Sequence, residues 1–290
     1  MENKFFENPT IHVSDITIQV ADLQRSVAFY QDFLGLQVIE KTTHKVMLSA
    51  DGEKVLITLE QPEEVKPKQR RTTGLYHVAI LLPTRKDLAL FLKHLLQEGR
   101  SYKLQLGAAD HLVSEALYFS DPDGNGIEVA ADRLSGKWNW SGESVQMSTD
   151  PLDADGLLES ATAEWVGMPE KTLIGHIHLH VNDLPKAREF YIEGLGFQEV
   201  TAFHGSSFLS DNGYHHHIAI NTWNGEGAPI PDSNEIGLKF FTIVYPIKET
   251  LDKAKHRLEA LGYLVDEGMV KDPAGNQIFL TDSVKEKMFT

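Results

Sequence analysis

The chain has no cysteine among its 290 residues, which excludes disulfides, thiolate metal sites and a cysteine nucleophile. Nor does it hold a run of about 18 apolar residues, the length that a membrane-spanning helix needs. Its opening stretch, MENKFFENPTIHVSD, lacks an apolar signal core, so no membrane partner and a cytoplasmic location are expected. Basic residues are in short supply: 27 Lys and Arg face 42 Asp and Glu, a net charge of −15. A surface of that sign repels nucleic acid and anionic lipid, so nucleic acid is not an expected partner. No glycine-rich phosphate loop is present, and Gly205-Ser206-Ser207 reads as a turn between strands. With 41% hydrophobic and 24% charged residues, the composition is that of a globular protein able to bury a sizeable core.

What the chain does have is a segment written twice. Val20-Ala21-Asp22-Leu23, Phe29-Tyr30 and Leu34-Gly35 recur 161 residues on as Val181-Asn182-Asp183-Leu184, Phe190-Tyr191 and Leu195-Gly196. A second repeat interleaves with the first. Gly74, Pro83, Leu95 and Gly99 recur at an offset of 163 as Gly237, Pro246, Leu258 and Gly262. Asp121-Pro122-x-Gly124-Asn125 recurs at an offset of only 151 as Asp272-Pro273-x-Gly275-Asn276. The last module therefore lacks about a dozen residues, in the stretch around Gly107 to Ser114, and repeats of this kind decide the fold before anything else.

The order is A-B-A′-B′, with modules at 12–60, 74–132, 173–223 and 237–283 and a linker at 133–171. Each module opens on a short apolar strand, such as Ile16 to Val20 or Ile177 to Val181. An amphipathic helix follows, with apolar residues three and four apart as at Leu88, Phe91, Leu92 and Leu95. Gly35, Gly99, Gly196 and Gly262 stand where helix C-cap glycines belong. Alternating stretches separated by turn residues then complete the unit. The expected architecture is α+β: four βαβββ modules forming two paired-module domains.

Residues two apart on a strand share a face. In Gly175-His176-Ile177-His178-Leu179-His180 the three histidines face one way and the aliphatics the other. His77 lies on the opening strand of the second module and Glu128 on its last. In the third module, a final strand over 214–221 would put His215, His217, Ala219 and Asn221 on one face. A lone strand histidine is ordinarily a core or surface residue. His77, Glu128 and His176, however, fall at matching positions of homologous modules. Two His and one carboxylate form the ligand set of non-heme Fe(II) oxygen chemistry, which leaves metal positions open.

With these residues in view, the chain resembles the vicinal oxygen chelate proteins, and among them the extradiol ring-cleaving dioxygenases. It is most similar to the two-domain catechol 2,3-dioxygenases of bacilli. The resemblance runs from about residue 12 to 283 and implies the glyoxalase/bleomycin resistance/extradiol dioxygenase fold. It implies His176 as a metal ligand, seven residues before Asp183, with His77 and Glu128 completing the set. It implies His217, in Tyr214-His215-His216-His217-Ile218, as the acid–base histidine beside the metal. Tyr118, ten residues before Glu128, would hydrogen-bond the substrate, and His111 would assist at the pocket mouth. The expected cofactor is Fe(II), with Mn(II) the second choice; the partners are a small aromatic diol and O₂. An assembly of identical chains is compatible with it.

One departure matters. Better-known enzymes of this type draw the second His and the Glu from the fourth module, where this chain has Phe240 and Phe279. The full set exists only if the second module pairs with the third. The first and fourth, carrying Asp15, Phe240 and Phe279, would then form a metal-free domain. The expected activity is Fe(II)-dependent opening of a catechol ring to a muconic semialdehyde. The alternatives are a glyoxalase-type isomerase on the same scaffold and a metal-free protein that sequesters a planar ligand. Glyoxalases place a carboxylate on both closing strands, where this chain offers His217, and sequestering proteins commonly lose the ligands kept here.

Overall fold

The computed structural model describes residues 1–285. Its strands are β1 (His12–Gln19), β2 (Gln37–Lys41), β3 (Lys45–Ser49), β4 (Ile57–Glu60), β5 (Gly74–Leu81), β6 (Gly107–Asp110), β7 (Ser114–Ser120) and β8 (Gly126–Asp132). A short hairpin, β9 (Trp140–Ser141) and β10 (Ser144–Val145), lies in the linker. The second half holds β11 (Leu173–His180), β12 (Gln198–Phe203), β13 (Ser206–Ser210), β14 (Ile218–Asn221), β15 (Gly237–Val244), β16 (Met269–Lys271) and β17 (Gln277–Thr281). The helices are α1 (Leu23–Ala28), α2 (Arg85–Glu98), α3 (Ala154–Leu158), α4 (Leu184–Glu189) and α5 (Lys248–Ala260).

The repeated motifs have local causes. Asp22 and Asp183 cap α1 and α4, accepting from Arg25 N and Lys186 N at 2.9 and 3.0 Å, and so satisfy a free amide at the helix start. Each of these helices then widens into a π turn, at Phe29–Phe33 and Phe190–Gly194, which buries the Phe-Tyr pair. Tyr30 Oη donates to Asp121 and Tyr191 Oη to Asp272, at 3.1 and 2.9 Å. The Asp-Pro-x-Gly-Asn loop of one module thus receives the tyrosine of the module before it. Of the four glycines expected as caps, Gly35, Gly196 and Gly262 have positive φ. Gly99 instead stays right-handed, and the chain reverses at Lys103, φ 55°.

Strands of residues 74–132 and 173–221 form one eight-stranded sheet, in the order β12-β13-β14-β11-β5-β8-β7-β6. Strands of 12–60 and 237–281 form a seven-stranded sheet, β16-β17-β15-β1-β4-β3-β2. At the centre of the larger sheet, β5 and β11 run antiparallel with His178 opposite His77, while β8 lies parallel to β5 with Glu128 opposite Ala79. Helices pack against the other face, where Val78, Ile80, Ile127, Ile177 and Ile218 join the main core with Phe91 and Phe190. The residues lacking from the last module correspond to β6, which is why one sheet has a strand fewer.

Candidate metal centre

The alternation of β11 leaves His176 and His178 on the concave face, and both are buried. His77 reaches the same place from β5 and Glu128 from β8. Glu128 Oε2 lies 3.0 Å from His77 Nε2 and 3.2 Å from His176 Nε2, and the two imidazole nitrogens are 3.2 Å apart. A first-row divalent ion with bonds of about 2.1 Å set about 90° apart spans donor–donor edges of about 3.0 Å. Three buried donors in such a triangle, one carboxylate and two imidazoles, fit that kind of ion. Burial alone would raise the Glu128 carboxyl, but His176 and His77 beside it hold it well below the usual carboxylate range. Burial pushes His77 down against the pull of that carboxylate.

Above the triad lies a cavity of about 530 Å³, walled by Tyr76, Phe208 and Trp223 with His178 and His216. That volume lies in the usual range for a small-molecule site. Strand β6 and the linker close one side through Ala109 and Met147. Tyr118 and His111 both line the cavity, with His111 Nε2 2.6 Å from Tyr118 Oη. His111 Nδ1 lies 2.6 Å from Ser148 O. A carbonyl only accepts, so Nδ1 holds the hydrogen and Nε2 accepts from the tyrosine. Burial, then the Glu128 charge, pushes the Tyr118 hydroxyl well above its ordinary value.

His217 is not in this cavity. Its Nε2 donates to Phe5 O at 2.9 Å and its Nδ1 accepts from Asp211 N at 3.3 Å. Burial brings its pKa to about 3. The reason is that β14 begins only at Ile218. Residues 214–217 make a bend, so strand alternation does not reach them, and it is His216 that enters the cavity. The His216 ring lies 4.0 Å, centroid to centroid, from that of His176.

Its neighbours set its tautomer. His215 Nε2 lies 2.9 Å from Asp132 Oδ1, and an ionised carboxylate only accepts, so that nitrogen carries the hydrogen. His215 Nδ1 then bears a lone pair. The hydrogen shared with His216 Nδ1, 2.9 Å away, belongs to His216. His216 Nε2 is left as a free base on the cavity side, and burial, with His176 and His215 near, keeps its ring neutral. Tyr214 Oη fixes Asp132 from the far side at 3.0 Å.

A family model described as "Glyoxalase/Bleomycin resistance protein/Dioxygenase superfamily" matches residues 12–129 and 173–286. The chain belongs to that superfamily. Within it, the chain stands with the ring-cleaving dioxygenases as an enzyme. Catechol-2,3-dioxygenase of Bacillus subtilis (strain 168) is 45% identical to it over 271 residues, 90% of this chain and 94% of the relative. Two solved structures share its fold at low identity. One, provisionally assigned as a dioxygenase from Bacillus subtilis subsp. subtilis str. 168, superposes with TM-score 0.65 at 14% identity, over 94% of this chain and 86% of the other. The other, glyoxalase I from Zea mays, gives 0.55 at 16% identity, over 93% and 92%. Dioxygenase kinship implies a catalytic metal ion, and His77, Glu128 and His176 are the group of described residues able to hold one.

Several residues of this superfamily site escape sequence reading. Tyr76 and Trp223 wall the cavity, yet nothing near them in sequence says so. Asp132 was readable only as the end of a strand. His178 was recognisable from its alternation with His176, and His216 from its adjacency to a histidine pair.

Proposed function

We propose that the protein is an Fe(II)-dependent extradiol dioxygenase that opens a catechol ring to a muconic semialdehyde. The observation that carries this is the convergence of His77, Glu128 and His176 within about 3 Å of one another on the floor of an aromatic cavity. Bound there, Fe(II) would acidify the diol hydroxyls and bring O₂ next to the ring.

The remaining chemistry belongs to the chain. Tyr76, Phe208 and Trp223 offer faces and edges to a planar ring. His216 Nε2, the free base of the pair, takes a hydroxyl proton and returns it during ring opening, a role suited to imidazole. The tautomer set by Asp132 and His215 keeps that lone pair available at no cost during the reaction. Tyr118 gives its own proton to His111, so its oxygen accepts from the second hydroxyl and orients the diol. Overall, catechol and O₂ combine into one product without a further reductant. At the β14 position that matches Glu128 on β8 stands Ala219, so the second carboxylate of a glyoxalase site is missing, which favours oxygen chemistry over isomerisation.

The test is oxygen uptake with a panel of catechols after anaerobic Fe(II) loading, with Glu128→Gln as the control. The amide keeps the shape and loses the charge, so iron retained after desalting should fall to a small fraction and uptake should vanish. Full iron occupancy in Glu128→Gln, or no uptake with any catechol, would contradict the proposal.

A further inference from the structure

Resting on the reading above, we infer that the diol substrate carries an anionic substituent, held in a basic chamber beside the metal-site cavity. The chamber has a volume of about 690 Å³ and shares Tyr76, His77, Gly107 and Tyr118 with the cavity as a common wall. The two spaces adjoin along these side chains, and on this proposal a ring at the triad carries its substituent past Tyr76, itself 41% exposed, into the chamber.

Its outer wall is Lys68-Gln69-Arg70-Arg71, the end of a segment, Lys66 to Arg71, with four cations in six residues of a chain with net charge −15. The segment is fastened at both ends. Lys66 N donates to Asn234 O at 2.9 Å, its Nζ pairs with Asp232 at 2.5 Å, and Gln69 Nε2 donates to Glu235 at 2.9 Å. Thr73 Oγ1 donates to Ala274 O at 2.8 Å on the far side. Lys68, Arg70 and Arg71 line the chamber, and among the described residues none of them has a carboxylate partner. The one carboxylate in the lining, Asp123, is already paired with Arg25 and accepts from Ala21 N.

Three neighbouring cations repel one another, and among the described residues no carboxylate pairs with them; Lys68 Nζ donates only to Gly124 O, at 3.5 Å. A neutral catechol gains nothing from them. A carboxylate or sulfonate on the ring would gain charge-assisted hydrogen bonds, bidentate ones from arginine. The basic wall would also draw such a substrate in against the negative field of the rest of the protein.

The test compares 3,4-dihydroxybenzoate with 3,4-dihydroxybenzamide, which has the same shape and no charge. With the Fe(II)-loaded protein, kcat/KM for the acid should exceed that for the amide by about 10- to 100-fold. The ratio should fall towards one in Lys68→Ala/Arg70→Ala, whose altered side chains are exposed, and in high salt. Calorimetric binding of the two compounds under anaerobic conditions reads the chamber independently of turnover. Equal affinity and turnover for acid and amide, or a ratio unmoved by the double substitution, overturns the inference while leaving ring cleavage standing. Preferential binding of the acid without oxygen uptake from any catechol supports the chamber and sinks the ring-cleavage reading instead.

Discussion

His216 and His217 are neighbours with opposite surroundings. One presents a free nitrogen to the cavity; the other is bonded to the Phe5 carbonyl and the Asp211 amide. His216→Ala is expected to lower kcat by about 10²- to 10⁴-fold, the usual contribution of a positioned general base. His217→Ala should instead cost about 1–3 kcal/mol of stability by orphaning buried backbone groups, with kcat of the folded protein little changed. Steady-state kinetics and urea denaturation of the two variants separate the roles, and a reversal of the pattern would refute the assignment. The distinction was not legible in the sequence. Three consecutive histidines obey strand alternation only inside a strand, and the bend at 214–217 depends on Tyr214 and His215 reaching Asp132, far away in sequence. His77, Glu128 and His176 were legible because each sits at a repeated position on a regular strand.

Among the elements, the repeats marked contacts as well as duplication. Asp22 and Asp183 are helix caps, and the Phe-Tyr pairs deliver a phenol to the Asp-Pro-x-Gly-Asn loops. Tyr191→Phe removes one buried hydrogen bond to Asp272, which keeps its bonds to Asn276. It should lower stability by about 1 kcal/mol, as should Tyr30→Phe, measured by urea denaturation; no loss in either would show that these bonds are not structural. The strand–helix–strand pattern was readable from periodicity and turn residues. The cavity walls were not, because Trp223, Met147 and Tyr76 come from loops or strand ends whose placement only the assembled sheet decides.

Across the whole molecule, the two sheets differ at corresponding buried positions. Where one has His176, the other has Asp15, fully buried, with one carboxylate oxygen unpaired and the other bonded to Ser14. Burial pushes the Asp15 carboxyl up. The folded state therefore binds its proton more tightly than the unfolded chain, where the pKa is about 3.9. That contribution is fully present below the unfolded pKa and is lost as pH rises through the higher folded value. Asp15→Asn does not titrate, so its stability relative to the parent should improve with rising pH, in paired thermal melts across pH 4 to pH 8. A difference that shrinks with pH would contradict the sign.

The central claim concerns the larger sheet, and the identity of the product tests it most directly. Fe(II)-loaded protein given catechol in oxygenated buffer should consume one O₂ per catechol. It should yield a product heavier by two oxygen atoms that shows an aldehyde proton by NMR. A dicarboxylate without an aldehyde, or conversion that proceeds equally without oxygen, would contradict extradiol cleavage at His77, Glu128 and His176.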